Sequence, residues 1–399
     1  MEKEMSDCGT HELKMRLSLY LKSNVGPASY KKLLLAFVRA ERIFSSSPTE
    51  LKAICPYFRD NTVKDILRGP DLIEADRQLE LCRKYGVRIL EQGSEEYPSL
   101  PDSLYNPPPF IFVRGKWPLG SPCLGVVGTR SPTEYGNRVT RKMVGTLARK
   151  KFTIVSGLAK GIDTVAHHTT LDHGGHTVAV LGTGLDIVYP ENNINLFKSI
   201  WDRGTLVTEY PFGTPPEAKN FPLRNRIISG LSLGILIVEA GTRSGALITC
   251  HHAGKQGKPI FAVPGSAFNR KADGPHKLIQ DGAHLAFRPA DIESRLVQSA
   301  RGPGPQHSLQ ILSMNEPGEE FLNSETGSPK NKPAHQEILL HLSDAEKKIY
   351  SLLEKDTLSL DRLSELSGSA PHALLVILLS LEAKNLVKRN PGSIFCQNL

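Results

Sequence analysis

The chain is poor in the residues that build metal and disulfide sites. Its six cysteines (Cys8, Cys55, Cys82, Cys123, Cys250 and Cys396) lie far apart, with no CxxC among its 399 residues. That spacing speaks against a zinc ribbon or a disulfide framework and leads us to expect a reducing cytoplasm. No run of about 18 apolar residues occurs, so no transmembrane helix is expected. The stretch MEKEMSDCGTHELK lacks the apolar core of a signal peptide. GxxxxGK[ST], GxSxG and HExxH are all missing, which argues against P-loop nucleotidases, α/β-hydrolases and zincin proteases. His167-His168 and His251-His252 fall in helix-length segments, where adjacent side chains face apart, and they have no metal-ligand spacing. No metal, no cofactor and no catalytic residue is expected.

What the chain does have is charge, unevenly placed. The net charge is +8, yet residues 1–110 hold 16 basic and 16 acidic side chains, and residues 341–399 hold 7 of each. Residues 111–289 hold 22 basic against 11 acidic. A polyanion should therefore bind the middle segment first; the plainer alternative is a basic surface kept for solubility.

Periodicity divides the chain in the same places. In residues 1–100, Leu13, Leu17, Leu21, Leu33, Leu34 and Phe37 recur at helix spacing around a Gly26-Pro27 turn. This reads as a helical module of the SAM or helix-hairpin-helix kind, or as a plain packing bundle. The prolines 107–109 mark a linker or the start of a strand. Over residues 101–290, apolar β-branched runs at 123–128, 152–157, 176–182, 205–210, 234–240 and 259–265 alternate with helix-length segments at 134–150, 159–172, 192–202, 224–232 and 245–256. That alternation predicts an α/β, Rossmann-like, doubly wound and mostly parallel sheet. Residues 291–340, rich in Gly, Pro, Ser and Asn, read as a flexible linker. Residues 341–399 read as three helices followed by two strands around Asn390-Pro391-Gly392, a winged-helix pattern. The third helix, from Pro371 through LLVILLSLEAK, is apolar nearly all round, which fits packing or protein contact as well as DNA reading.

Ligands of doubly wound sheets bind beyond the carboxyl ends of the strands. The residues there are small, hydroxylic or basic: Gly128-Thr129-Arg130 after the first run, Ser156-Gly157 with Lys160 after the second, and Ser244-Gly245 after the fifth. Such turns approach anions closely. Gly182-Thr183-Gly184 begins like a dinucleotide fingerprint, but Ile187 stands where a third Gly or Ala belongs. Lys219, Phe221, Arg224 and Arg226 put three cations and an aromatic ring into eight positions. Arg224 and Arg226 should point to different sides of a helix start, one to a backbone phosphate and the other to a carboxylate such as Glu239. Phe221 offers a stacking face for an unpaired base; the alternative is a salt-bridged helix cap with the ring in the core. Asp163, Asp186 and Glu239 are expected to cap helices or pair with arginine rather than act as bases.

VGTR, SGLAKGID, AHHTTL, VLGTGLDIVYPENN, LVTEYPFG, FPLRNRIISGLS, VEAGTRSGALIT, FAVPG and GPHKLIQDGAHL follow one another in this order. Together they resemble the DNA-processing protein A family, also called Smf, strongly over about residues 100–290. The resemblance implies a Rossmann-like domain that binds single-stranded DNA without hydrolysing nucleotide, protects it from nucleases and loads the RecA recombinase on it. It also implies a homodimer formed through that domain. A single-strand-binding protein is a further expected partner. Arg130, Phe221, Arg224 and Arg226 match the family's DNA pocket. Lys219 is the candidate for a pocket lysine, though its offset from Phe221 differs by one in some members. Ala246 stands where the family often has serine, which weakens a hydroxyl role there. The competing reading is a nucleoside-monophosphate hydrolase of the lysine-decarboxylase-like type with Glu239 as its carboxylate, but the PGGxGTxxE signature of that group is missing.

Overall fold

A computed structural model describes residues 2–299 except 23, 102 and 105, and residues 344–397 except 354–357, 370–373, 375–376, 379–380, 382–385 and 391–393. The chain divides into two compact units, Met1–Asn323 and Ser324–Leu399. Most of the expected linker, most of the third C-terminal helix and the Pro391-Gly392 turn lie outside the described residues.

The first unit opens with six helices: α1 (Glu2–Leu21), α2 (Pro27–Phe37), α3 (Ala40–Phe44), α4 (Pro48–Ile54), α5 (Asp60–Leu67) and α6 (Leu72–Tyr85). Gly26 and Pro27 form the α1–α2 break, with Pro27 in the first turn of α2, where its missing N–H costs nothing. A nine-stranded sheet follows: β1 (Arg88–Glu91), β2 (Phe110–Gly115), β3 (Cys123–Gly128), β4 (Thr153–Ser156), β5 (Thr177–Val180), β6 (Thr205–Thr208), β7 (Gly234–Val238), β8 (Ile260–Ala262) and β9 (His284–Leu285). Its order is β1-β2-β6-β5-β4-β3-β7-β8-β9. The seven strands from β6 to β9 run parallel, and β1 and β2 add antiparallel pairs at one edge. Strands β4 to β8 are buried along their whole length, as expected of strands covered on both faces. The covering helices are α7 (Glu134–Arg149), α8 (Ile162–Asp172), α9 (Ile194–Arg203), α10 (Asn220–Leu231), α11 (Ala246–Lys255), α12 (Asp273–Gln280) and α13 (Pro289–Ser299).

The sheet begins earlier than periodicity indicated, since β1 and β2 precede the first apolar run. One apolar core joins Leu17, Leu19 and Leu33 of the helical segment to Phe110, Phe112 and Leu206 on the sheet and to Phe197 of α9, so helices and sheet share their packing. Helix α10 also starts four residues before the expected segment. Pro222 is third in that helix, within the first turn, where no N–H has an intrahelical acceptor.

In the second unit, α14 (Asp344–Leu352) and α15 (Leu360–Ser367) precede a three-stranded antiparallel sheet of β10 (Leu358–Ser359), β12 (Ile394–Gln397) and β11 (Val387–Asn390). The strand β10 adds to the two expected from sequence. Leu374, Leu378 and Leu381 bury against Ile349, Leu363 and Phe395.

Candidate nucleic-acid interface

The chain runs outward from β3 through β4, β5 and β6, then returns to β7 on the other side of β3. Loops after β3 and β7 therefore diverge and open a crevice at the carboxyl edge. The two ends stay tied, because the Thr129 N–H donates to the Glu239 carbonyl at 2.6 Å. Gly128 allows this closeness: a Cβ there would sit 2.0 Å from the Val238 carbonyl oxygen and 2.6 Å from Ile162.

The loop from Ser156 to Gly161 is held from below by four buried side chains. The Asp163 carboxylate accepts the N–H groups of Gly157 (3.0 Å) and Ala159 (3.4 Å). His167 Nε2 accepts the Leu158 N–H at 3.3 Å. Asn193 donates to the Leu158 carbonyl at 2.9 Å. Arg224 donates to the Gly157 carbonyl at 2.8 Å and to the Val180 carbonyl. These clamps hold Leu158 at φ +55°, a left-handed conformation unusual for a branched residue. Gly161, at φ +82°, packs its backbone against Thr129 and Arg130. Lys160 between them projects into solvent, as does Arg130.

His167 shows why the clamp is firm. Its Nε2 accepts from an amide, so its proton lies on Nδ1, which contacts Thr177 Oγ1 at 2.7 Å; that hydroxyl in turn donates to the Ile154 carbonyl. Burial, then the charges of His168 and Arg224, push its pKa down from 6.5 to about 3. Between those values the unfolded chain binds a proton that the folded chain refuses. This contribution to stability is therefore present above pH 6.5 and lost as the pH falls. Urea melts at pH 7 and pH 5 should show His167→Gln losing about 2 kcal/mol less over that interval than the native chain. Equal losses would mean that His167 is not held neutral.

The two arginines of FPLRNR point apart, as helix geometry demands, but both point inward. Arg224 is 4% exposed and Arg226 2%. Burial lowers the Arg224 pKa to about 10, against the opposing pull of Asp163, so it stays charged near neutrality. Arg226 pairs with Glu209 at 2.5 Å. The carboxylate braced by one of the two arginines is thus Glu209, a correction to the expected Glu239. Glu239 accepts instead from the Thr133 N–H (2.8 Å), the Thr133 hydroxyl (2.5 Å) and the Asn269 amide (3.2 Å). Both its oxygens are engaged at the start of α7, which weighs against a reacting carboxylate there. Asp186 likewise accepts the Gly213 N–H at 2.9 Å. The three carboxylates were expected to cap helices or pair with arginine; among the described residues none forms an ion pair with arginine, and they hold loop amides (Asp163, Asp186) or Thr133 and Asn269 (Glu239) instead.

The other singled-out residues divide between floor and rim. The Ser156 hydroxyl turns inward to the Val126 carbonyl at 2.7 Å. Ser244 accepts the Ala246 N–H at 3.3 Å at the start of α11, and Gly245 is exposed. Thr129 is half-buried and accepts the Ser131 N–H at 3.3 Å. Lys219 is exposed and pairs with Glu217 at 2.7 Å. Phe221 is half-buried, its ring lying over Gly182 at the end of β5. Among the described residues no three His, Cys, Asp or Glu side chains gather as a metal site would need.

Asp163, His167, Asn193 and Glu209 were not singled out as site residues. One sequence signal was available: Asp163 and His167 are four apart, on the helix face turned back toward the loop.

Known proteins are similar to this chain in sequence and in fold. A family model described as DNA recombination-mediator protein A matches residues 88–297, beginning at β1. One described as the DprA winged helix domain matches residues 332–393. Protein Smf of Synechocystis sp. is 33% identical over 386 residues, covering 92% of this chain and 94% of its own. DNA processing protein DprA of Bacillus subtilis is 40% identical over 222 residues, 55% of this chain and 75% of that protein. The X-ray structure of DprA from Streptococcus pneumoniae superposes with a TM-score of 0.62 at 32% identity, covering 70% of this chain and 97% of that one. With a family model matching more than half of the chain and a relative 33% identical over 92% of it, the chain belongs to the DNA-processing protein A (DprA/Smf) family.

Proposed function

We propose that the protein binds single-stranded DNA at the carboxyl ends of β3, β4, β5 and β7 and hands the strand to the RecA recombinase, without hydrolysing nucleotide. The observation that carries this reading is that Arg130 after β3, Lys160 after β4 and Lys219 at the start of α10, the helix that carries Phe221, are all exposed cations within the segment that holds the whole basic excess. Cations along a backbone track with an aromatic face for bases are what single-strand binding needs. The ion pair between Lys219 and Glu217 is exposed and worth little, so Lys219 is free to turn to a phosphate. Thr129, Ser244 and Gly245 add hydroxyl and amide donors at the same rim. Arg224 and Arg226 serve as internal braces rather than phosphate ligands, because both are buried.

The names of the relatives support a role in DNA processing, and transformation or recombination is the setting we propose. A homodimer through this domain is proposed from the family resemblance, and the sheet edge offers apolar side chains for it: Leu285 of β9 and Phe287 just after it are about half exposed. RecA and a single-strand-binding protein are the partners proposed from the family resemblance. No described helix is long and apolar enough to cross a membrane, and the cytoplasm is the location we propose.

The test is fluorescence anisotropy of labelled oligo-dT against the full chain at two salt concentrations, with a duplex control. Each phosphate neutralised contributes about 0.7 to the salt slope on single strands. Arg130→Ala/Lys160→Ala/Lys219→Ala should therefore reduce the slope by about 2 and weaken binding, while leaving the melting temperature near native. A slope unchanged by the triple substitution would refute this site.

A further inference from the structure

The loop between β5 and α9 carries an exposed ring that the DNA-binding reading does not use. Tyr189 is 43% exposed. Its ring centroid lies 5.1 Å from that of Phe221, with the planes 38° apart. Phe221 already rests on Gly182 and is half-buried, so Tyr189 presents the more open aromatic surface of the pair.

That surface is held in place. The Gly184 N–H donates to the Thr214 carbonyl at 3.0 Å, and the Thr183 hydroxyl donates to the Ile187 carbonyl at 2.9 Å. Asp186 accepts the Gly213 N–H. Four residues beyond the ring, Asn193 bonds the carbonyl of Leu158 in the loop that carries Lys160. The ring is therefore tied to a cationic loop on one side and to Phe221 on the other. A ring ordered before the ligand arrives loses little entropy on binding.

We infer that Tyr189 is a binding residue for an unpaired nucleobase, forming with Phe221 a two-ring platform on which a base of the strand stacks. This rests on the single-strand-binding reading and adds to it the group that meets the base. The interaction is with the π-face, so any base serves and the phenol hydroxyl is dispensable.

The experiment compares native protein, Tyr189→Phe and Tyr189→Ala on two strands: oligo-dT, and the same backbone with every base replaced by hydrogen. On oligo-dT, Tyr189→Ala should bind roughly 5- to 150-fold more weakly, while Tyr189→Phe should stay near native. On the base-free strand the three proteins should bind alike, because no base is left to stack. Melting temperatures taken alongside should agree, as expected for a half-exposed ring. Undiminished oligo-dT affinity in Tyr189→Ala would overturn the inference. So would an equal loss on both strands, which would make the ring a support for the loop. If the native protein fails to bind oligo-dT at all, the single-strand reading itself falls and this inference falls with it.

Discussion

Arg226→Ala should lose about 3–5 kcal/mol of folding stability, the usual consequence of stranding one member of a buried ion pair. Both partners are almost fully enclosed, with side chains 3% and 5% exposed. The pair is also imperfectly satisfied: among the described residues Glu209 Oε1 and Arg226 Nε and Nη1 find no hydrogen-bond partner. Burial raises the Glu209 pKa, and Arg226 opposes that rise. Taking Arg226 away leaves the carboxylate with desolvation alone. Removing both charges behaves differently, since apolar replacements of similar size often match or exceed a buried pair. Arg226→Met/Glu209→Leu should therefore melt closer to native than either single substitution. Denaturant melts of the two single variants and the double variant decide this. If the double variant is destabilised by the sum of the two single losses, the residues are not coupled. Tyr20 of α1 donates to the Glu209 carbonyl at 2.9 Å, so damage at Glu209 should also loosen the attachment of the helical segment.

The parallel strands were legible because burial on both faces writes a continuous apolar run. The run at 123–128 coincides with β3, and those at 205–210 and 234–240 overrun β6 and β7 by two residues. By contrast, β1 is four residues, Arg-Ile-Leu-Glu, of which only Leu90 is buried, and β9 is only two. Neither leaves a periodic trace in so short a span. The strands β11 and β12 were legible from the Asn390-Pro391-Gly392 turn signal between VKR and SIFCQ, but β10, two residues long, was not.

At the site, residue types and loops were readable but orientations were not. Arg130, Lys160 and Lys219 stand in the open, as cations usually do. The inward turn of Arg224 and Arg226 depends on acceptors far along the chain: Gly157 and Val180 for one, Glu209 for the other. Those acceptors are two backbone carbonyls and a glutamate on a neighbouring strand end, and composition does not record such pairings. The clamp was hidden for the same reason. Asp163, His167 and Asn193 act on backbone atoms of the loop, and only the four-residue spacing of Asp163 and His167 on one helix face hinted at it.

Arg224→Ala separates bracing from direct DNA contact. The guanidinium donates to two buried carbonyls, Gly157 and Val180, and faces Asp163. Hydrogen bonds from charged donors are worth about 1.5–3 kcal/mol each, so the variant should lose several kcal/mol and melt lower than native. Its loss should reach the DNA as well. Without Arg224, Asp163 is left more nearly alone in an apolar setting, where burial already raises its pKa, and its grip on the Gly157 and Ala159 amides weakens as it takes up a proton. The loop that aims Lys160 then loosens, and strand affinity falls even where the protein remains folded. The salt dependence distinguishes the causes. A phosphate ligand that is removed takes about 0.7 out of the slope. A brace that is removed lowers affinity and leaves the slope nearly intact, because Arg130, Lys160 and Lys219 still neutralise the same phosphates. We expect the second outcome, measured by anisotropy well below the variant's melting temperature. A slope reduced by one phosphate, with native stability, would place the Arg224 guanidinium on the DNA instead of beneath the loop.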